Sequence, residues 1–186
     1  MNASLCRIVL GVLWMVWLFP FVFLAPHGQK RAHITVAGPT RIGLLFETAA
    51  IFLAFLVHRP LGASVAPLRF ILALILAAAG IQLAFAAVKH LDRQFRIHAG
   101  LYHDHRLVTS GPYAIVRHPI YAALLAMLLS SILIATPWQW GAAAVVLFLV
   151  GTEIRVRTED KLLASRFGNE FSEYQKRVPA YLPFVR

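Results

Sequence analysis

Two short stretches of this sequence hold most of the side chains able to do chemistry. The first, from His98 to Tyr121, contains His98, His103, His105, Arg106, Tyr113, Arg117, His118 and Tyr121. Clustered histidines are one way to build a metal site. The carboxylates or thiolates that usually complete such a site are not at recognisable spacing, so solvated loop histidines are the simpler reading. His118 differs because Pro119 follows it, and proline is favoured in the first turn of a helix. A histidine or tyrosine buried at a helix start must find a hydrogen-bond partner, in protein or ligand. The second stretch is Glu153-Ile154-Arg155-Val156-Arg157-Thr158-Glu159-Asp160. On a helix Arg155 and Glu159 share a face, where a surface ion pair is worth about 0.3–0.5 kcal/mol. Arg155 also lies just past a charge-free run ending at Thr152, and an ionisable group at such a boundary is a functional candidate.

The elements that must position these groups belong in lipid. The 186 residues are 59% hydrophobic and only 14% charged, where soluble domains are about half apolar and about a quarter charged. The single cysteine, Cys6, excludes an intramolecular disulfide and a thiolate metal cluster. The net charge of +10 is spread between apolar runs rather than gathered on a soluble module. This favours membrane orientation over nucleic-acid binding. The absence of any Gly-x-Gly pair argues against a soluble dinucleotide-type or Rossmann methyltransferase fold.

Ser4–Ala25 carries one charge, Arg7, and is long enough to span a bilayer core. A signal peptide is the competing reading, but the run is long and further spans follow it. Ile42–His58, interrupted by Glu47, and Leu68–Val88, with Arg69 at its start, are the second and third runs. Pro119–Thr152 is charge-free and too long for one span, and Pro137 disfavours helix at Thr136. Two short helices in a tight hairpin are expected there, the second continuing past the membrane surface. The sequence therefore predicts an all-α polytopic membrane protein with five transmembrane helices. With the N-terminus outside, all of the 18 lysines and arginines but Arg7, Arg59 and Arg69 fall on the cytoplasmic side, as the positive-inside rule favours. Residues 89–118 and 153–186 then face the cytoplasm together. The tail opens as an amphipathic helix through Leu162, Leu163, Phe167, Phe171 and Tyr174, with Gly168 as a cap or bend. Pro179 and Pro183 end its regular structure, and Tyr181, Leu182, Phe184 and Val185 add an apolar face. Without repeats or low-complexity linkers, residues 1–186 read as a single membrane domain, with three spans in 1–88, the hairpin in 119–152 and the tail in 153–186.

The segments HRLVTSGPYAIVRHPIY (105–121) and RVRTEDKLLASRFGNEFSEYQKRVPAYLPF (155–184) resemble the signature of isoprenylcysteine carboxyl methyltransferases. The wider group includes phospholipid N-methyltransferases and many bacterial proteins. The resemblance covers roughly residues 89–186, and the first three spans match only in kind. It implies S-adenosylmethionine as cofactor, in a cytoplasm-facing pocket closed by the tail. The family's cofactor positions fall on His105, Arg106, Leu107, Val108, Tyr113, His118, Pro119, Ile120, Tyr121 and Glu159, and its substrate arginine on Arg155. A further cofactor position, often glutamine in eukaryotic members, falls on His98. The family's paired tail glutamates are Glu159-Asp160 here, and a glycine common near the end of the third span is Asp92.

Those residue types suit methyl transfer to a carboxylate. The reaction cancels two opposite charges, so a dry pocket that aligns the reactants favours it. A carboxylate is already ionised at pH 7 and needs no base, only a cation to hold it. Arg155 can supply two parallel hydrogen bonds, and Glu159 can fix Arg155 and bind a polar part of the cofactor. Arg155 and Glu159 are thus the expected catalytic pair. An amine acceptor would instead need Glu159 as base and would be repelled by Arg155. The expected substrate is a lipid-like or prenylated carboxylate from the bilayer, with no nucleic acid and no obligate protein partner. Ala122, Ala123, Ala126, Ser130 and Ser131 would permit close helix packing around it. Phospholipid (ethanolamine) N-methylation is the nearest alternative. A sterol-reductase-like NADPH enzyme and a non-enzymatic membrane scaffold are more distant ones.

Overall fold

The computed structural model describes residues 2–24, 33–35, 37–60, 63–92, 95, 100–102 and 106–182. Helix α1 (Ala3–Phe19) starts where the Asn2 side chain accepts the Ser4 backbone N–H at 2.8 Å. It runs into a π-helical turn, Pro20–Leu24, which accommodates a proline in an otherwise helical run. Helix α2 is Ala37–Leu56 and α3 is Pro67–Leu91, the latter with proline in its first turn. Helix α4 (Pro119–Ala135) likewise begins on proline, and α5 spans Trp138–Phe167. Thr136 takes the extended conformation expected before Pro137, separating α4 from α5. Gly168, at φ +51°, ends α5 and lets α6 (Asn169–Arg177) turn away. A three-residue antiparallel ribbon pairs β1 (His33–Thr35) with β2 (Gly100–Tyr102), a small departure from the purely helical expectation.

Among the described residues, four helical segments are long and apolar enough to cross a membrane: Ala3–Leu24, Gly38–Leu56, Pro67–Leu91 and Trp138–Phe167. The chain is an integral membrane protein. The fifth apolar helix, α4, has 17 residues and a length of about 26 Å, at the lower limit for spanning. Helix α5, with 30 residues, is about 45 Å long and carries its polar second half beyond a bilayer core.

Helix α4 packs mainly along α3, and α5 along α2, rather than against each other. The seam of α3 is made of Ala73, Ala77, Gly80, Ala84 and Ala87, all buried at alternating four- and three-residue spacing. This lets the backbones approach, since a Cβ on Gly80 would sit 2.9 Å from the Ala123 carbonyl oxygen. Ser130 closes the same seam by donating to the Ala73 carbonyl at 2.8 Å. Helices α2 and α5 touch at two glycines. A Cβ on Gly43 would lie 2.7 Å from the Gly151 carbonyl, and one on Gly151 2.6 Å from that of Gly43. One helical turn beyond each glycine stand Glu47 and Arg155.

The ends of the bundle differ in character. The Arg59 N–H donates to the Ala135 carbonyl at 2.8 Å, and Asn2 bridges to Ser64. The start of α1, the α2–α3 link and the α4–α5 turn therefore share one end. The start of α4, the second half of α5 and α6 share the other, where the candidate site residues gather.

Candidate active site

Pro119 fixes the start of α4 and makes His118 its N-cap residue. Just upstream, Gly111-Pro112-Tyr113-Ala114 forms a 3-10 turn. Gly111 is required there twice over: its φ is +59°, and a Cβ would fall 2.2 Å from the His90 ring nitrogen. The tail clamps this corner from outside. Arg117 and His118 donate backbone N–H groups to the carbonyls of Pro179 and Ala180, both at 2.8 Å, and the Tyr174 hydroxyl donates to the Tyr113 carbonyl at 2.6 Å. Burial pushes the Tyr174 phenol up to about 12, so it stays a donor throughout the physiological range.

Across the corner runs a chain of alternating charges. Glu47 accepts from Arg155 Nη1 at 3.0 Å and from the Thr152 hydroxyl at 3.0 Å. Arg155 Nε donates to the Tyr121 hydroxyl at 2.8 Å, and its guanidinium carbon lies 5.0 Å from the centroid of that ring. The Tyr121 hydroxyl in turn donates to Glu159. The two ring nitrogens of His118 face two carboxylates, Nδ1 at 3.3 Å from Glu159 and Nε2 at 2.9 Å from Asp160. Asp160 is completed by Arg117 at 3.0 Å and Gln175 at 3.2 Å. Signs alternate through Glu47, Arg155, Glu159, His118, Asp160 and Arg117, so each buried charge has an opposite neighbour.

An imidazole can donate from both nitrogens only as the cation. Burial alone would lower the His118 pKa, but the hydrogen bonds to Asp160 and Glu159, and then their charges, outweigh it and raise the value to about 9. His118 is therefore an imidazolium at neutral pH, a fixed cation rather than a proton shuttle. The Tyr113 phenol is pushed well up by burial and by the charge of Glu159, and remains neutral.

The structure thus gathers four of the sequence-predicted site residues, His118, Tyr121, Arg155 and Glu159, into one network. Pro119 and Ile120 form the first turn that holds them, and Tyr113 is buried in the adjoining 3-10 turn. Leu107 and Val108 are half-buried and Arg106 is exposed on the segment leading into that turn. His98 and His105 lie outside the described residues, as does His103. Arg155 and Glu159 share a face as expected, but Tyr121 bridges them. The carboxylate that meets Arg155 directly is Glu47, 108 residues away. Sequence reasoning passed over Glu47, although a lone acid inside an apolar run signals a buried, paired group. Arg117 stands in the first chemistry-bearing stretch but with no role attached to it, Thr152 carries no comparable signal, and Asp160 reads only as part of an acidic pair.

The family model for the isoprenylcysteine carboxyl methyltransferase (ICMT) family matches residues 71–165, half of the chain. The chain is 38% identical over 82 residues to protein-S-isoprenylcysteine O-methyltransferase B of Arabidopsis thaliana, covering 44% of this chain and 41% of that protein. It is 39% identical over 80 residues to the cobalt-zinc-cadmium resistance protein CzcN of Cupriavidus metallidurans, covering 43% and 37%. The Homo sapiens protein-S-isoprenylcysteine O-methyltransferase is 35% identical over 83 residues, covering 44% and 29%. Each match thus spans less than half the length of the relative. With the site geometry falling inside or beside the matched segment, the chain belongs to the isoprenylcysteine carboxyl methyltransferase family.

Proposed function

We propose that this protein transfers a methyl group from S-adenosylmethionine to a carboxylate on a lipid-like substrate of the isoprenylcysteine type. The observation that carries this reading is Arg155: a guanidinium 7% exposed, where α5 leaves its apolar half, already holding one carboxylate. A buried guanidinium supplies the charge and the paired N–H groups that an acceptor carboxylate needs. The chain crosses the membrane five times in this reading, with the N-terminus outside and residues 89–118 and 153–186 in the cytoplasm, as the distribution of lysine and arginine favours.

The donor set beside Arg155 fits the cofactor's mixed chemistry. Glu159 offers an anion with 24% side-chain exposure for ribose hydroxyls or an ammonium. Tyr113 backs this corner as a buried ring, and Arg106 stands as a cation on the exposed segment leading into it. When bound, S-adenosylmethionine supplies an electrophilic methyl group on a sulfonium. Arg155 orients the acceptor oxygen. Tyr121, with one hydroxyl between Arg155 and Glu159, sets the spacing between the acceptor and cofactor sides. His118 holds Glu159 and Asp160 in place, and the tail contacts at Pro179 and Ala180 help exclude water. A carboxylate acceptor has no proton to lose, and His118, held as a cation, is not available as a base.

The test is methyl transfer from isotopically labelled S-adenosylmethionine in membranes containing the protein, with an Arg155→Ala/Glu159→Ala control. Label in the lipid fraction that mild base releases as methanol is expected, and the control should abolish it. Base-stable label would mean transfer to nitrogen, carbon or sulfur, and would remove Arg155 from its role. The absence of both methyl transfer and cofactor binding would overturn the proposal.

A further inference from the structure

The opposite end of the bundle holds a second site. A cavity of about 460 Å³ opens between α1, α2 and α4, lined by Arg7, Gly11, Trp14, Phe55, His58 and Ala135. Arg7 sits one turn into α1, and one guanidinium nitrogen donates to the Arg59 carbonyl. Its Nε is buried and has no hydrogen-bond partner. Arg59 is committed elsewhere, with Nε donating to the Thr136 carbonyl at 3.2 Å. Burial and the neighbouring charge of Arg69 lower the pKa of Arg59, a sign that cations are crowded here.

Among the described residues, nothing acidic answers those cations. All described acidic residues stand towards the other end: Glu47 on Arg155, Asp92 at the end of α3, and the rest in the second half of α5 or in α6. Arg7, Arg59 and His58 are each paired with a backbone carbonyl and not with an acid. An unanswered guanidinium in a partly apolar cavity needs an anion from outside the chain.

The cavity wall indicates which anion. Trp14 uses its indole N–H internally, donating to the Ser131 hydroxyl at 3.0 Å, and so presents only apolar ring surface. Phe55 is 40% exposed at the rim, and the outer faces of the same two helices, including Ile8, Val12, Met15, Phe52 and Leu56, are exposed and apolar. A free phosphate has no use for such walls, whereas an anionic amphiphile matches both halves.

We propose that this cavity binds the phosphate of an anionic phospholipid, with Arg7 as its principal ligand. The glycerol and first acyl carbons lie against Trp14 and Phe55. Arginine suits the task because two N–H groups can meet two phosphate oxygens at once, and the second turn of a membrane helix is headgroup depth. The site stands apart from the proposed methyl-transfer centre and does not depend on it.

Native mass spectrometry of the purified full chain, released from micelles containing phosphatidylglycerol or phosphatidylcholine, tests this. Retained phosphatidylglycerol should exceed phosphatidylcholine by about tenfold, and Arg7→Met should remove most of that excess. Lys176→Met, an exposed surface position paired with Glu173 at the other end, should not change it. Should Arg7→Met fail to fold, Arg7→Lys keeps the charge but loses the fork, and should lower retention severalfold. Equal retention of the two lipids, or undiminished phosphatidylglycerol binding by the folded Arg7 variants, overturns the proposal. Inorganic phosphate at millimolar concentration displacing the lipid completely would identify a free-phosphate site and overturn it as well.

Discussion

Replacing Glu47 by glutamine keeps the shape of the α2–α5 contact but strips Arg155 of its nearest countercharge. The pair is 3.0 Å apart, with side-chain exposures of 9% for Arg155 and 2% for Glu47, so little solvent is available to compensate. Opposite charges at about 4 Å attract by about 4 kcal/mol at an effective dielectric of 20. Removing one partner of a buried pair typically costs about 3–5 kcal/mol. Arg155 retains Tyr121 as hydrogen-bond acceptor and ring partner, which softens the loss to about 2–3 kcal/mol for Glu47→Gln. Arg155→Met leaves Glu47 with only Thr152 and should cost a similar amount. The double variant removes both charges and should be no worse than either single one, a coupling of about 2 kcal/mol. Reversible unfolding of the four proteins in mixed denaturant–detergent micelles measures that coupling. A value near 0.6 kcal/mol, the average for neutral hydrogen bonds between membrane helices, would refute the ion-pair reasoning and reduce Glu47 to a polar packing residue.

His118 gives a pH signature. Its pKa in the fold is raised from 6.5 to about 9, so its stabilising contribution is complete below about pH 6.5 and fades as pH rises through 9. Thermal unfolding in detergent between pH 6 and 10 should show the midpoint falling over that window, and His118→Gln should flatten the dependence. Gly151→Val should destabilise by more than about 3 kcal/mol or prevent folding, because its Cβ would meet the Gly43 carbonyl at 2.6 Å. Gly38→Ala, with open space around it, should stay within about 0.5 kcal/mol in the same unfolding assay. Asp92 has φ +44° and ψ −121°, a conformation suited to glycine, so Asp92→Gly should stabilise by about 1 kcal/mol and raise the melting temperature.

The helices were legible in the sequence because lipid simplifies the rules. A run of apolar residues of sufficient length is a helix there, and Pro137 and Gly168 mark its breaks where backbone sterics require them. The strain at Asp92 was foreshadowed by the glycine expected at that position. Helix pairing was not legible, and small residues set it. The hairpin suggested that α4 and α5 would pack on each other, yet Gly80 draws α4 onto α3, and Gly43 with Gly151 draws α5 onto α2. Arg155 and Glu159 were recognisable by spacing, but that spacing says nothing of the Tyr121 hydroxyl between them. The three-residue ribbon from β1 to β2 is too short for any alternation to register.

Glu47 shows why the site exceeds the segment by which the family is recognised. Residues 71–165 hold His118, Tyr121, Arg155, Glu159 and Asp160, but not all of the groups that fix their orientation. Glu47 comes from α2, ahead of that segment, and Arg117 is tied down by the Gln175 and Val178 carbonyls, beyond it. The backbone at Arg117 and His118 is held by Pro179 and Ala180. A buried run of six alternating charges is stable only when both of its ends are closed, since a terminal charge left open would lose about as much as a broken pair. The matched segment therefore holds most of the candidate site residues, while α2 and the tail determine whether they are held in a single geometry.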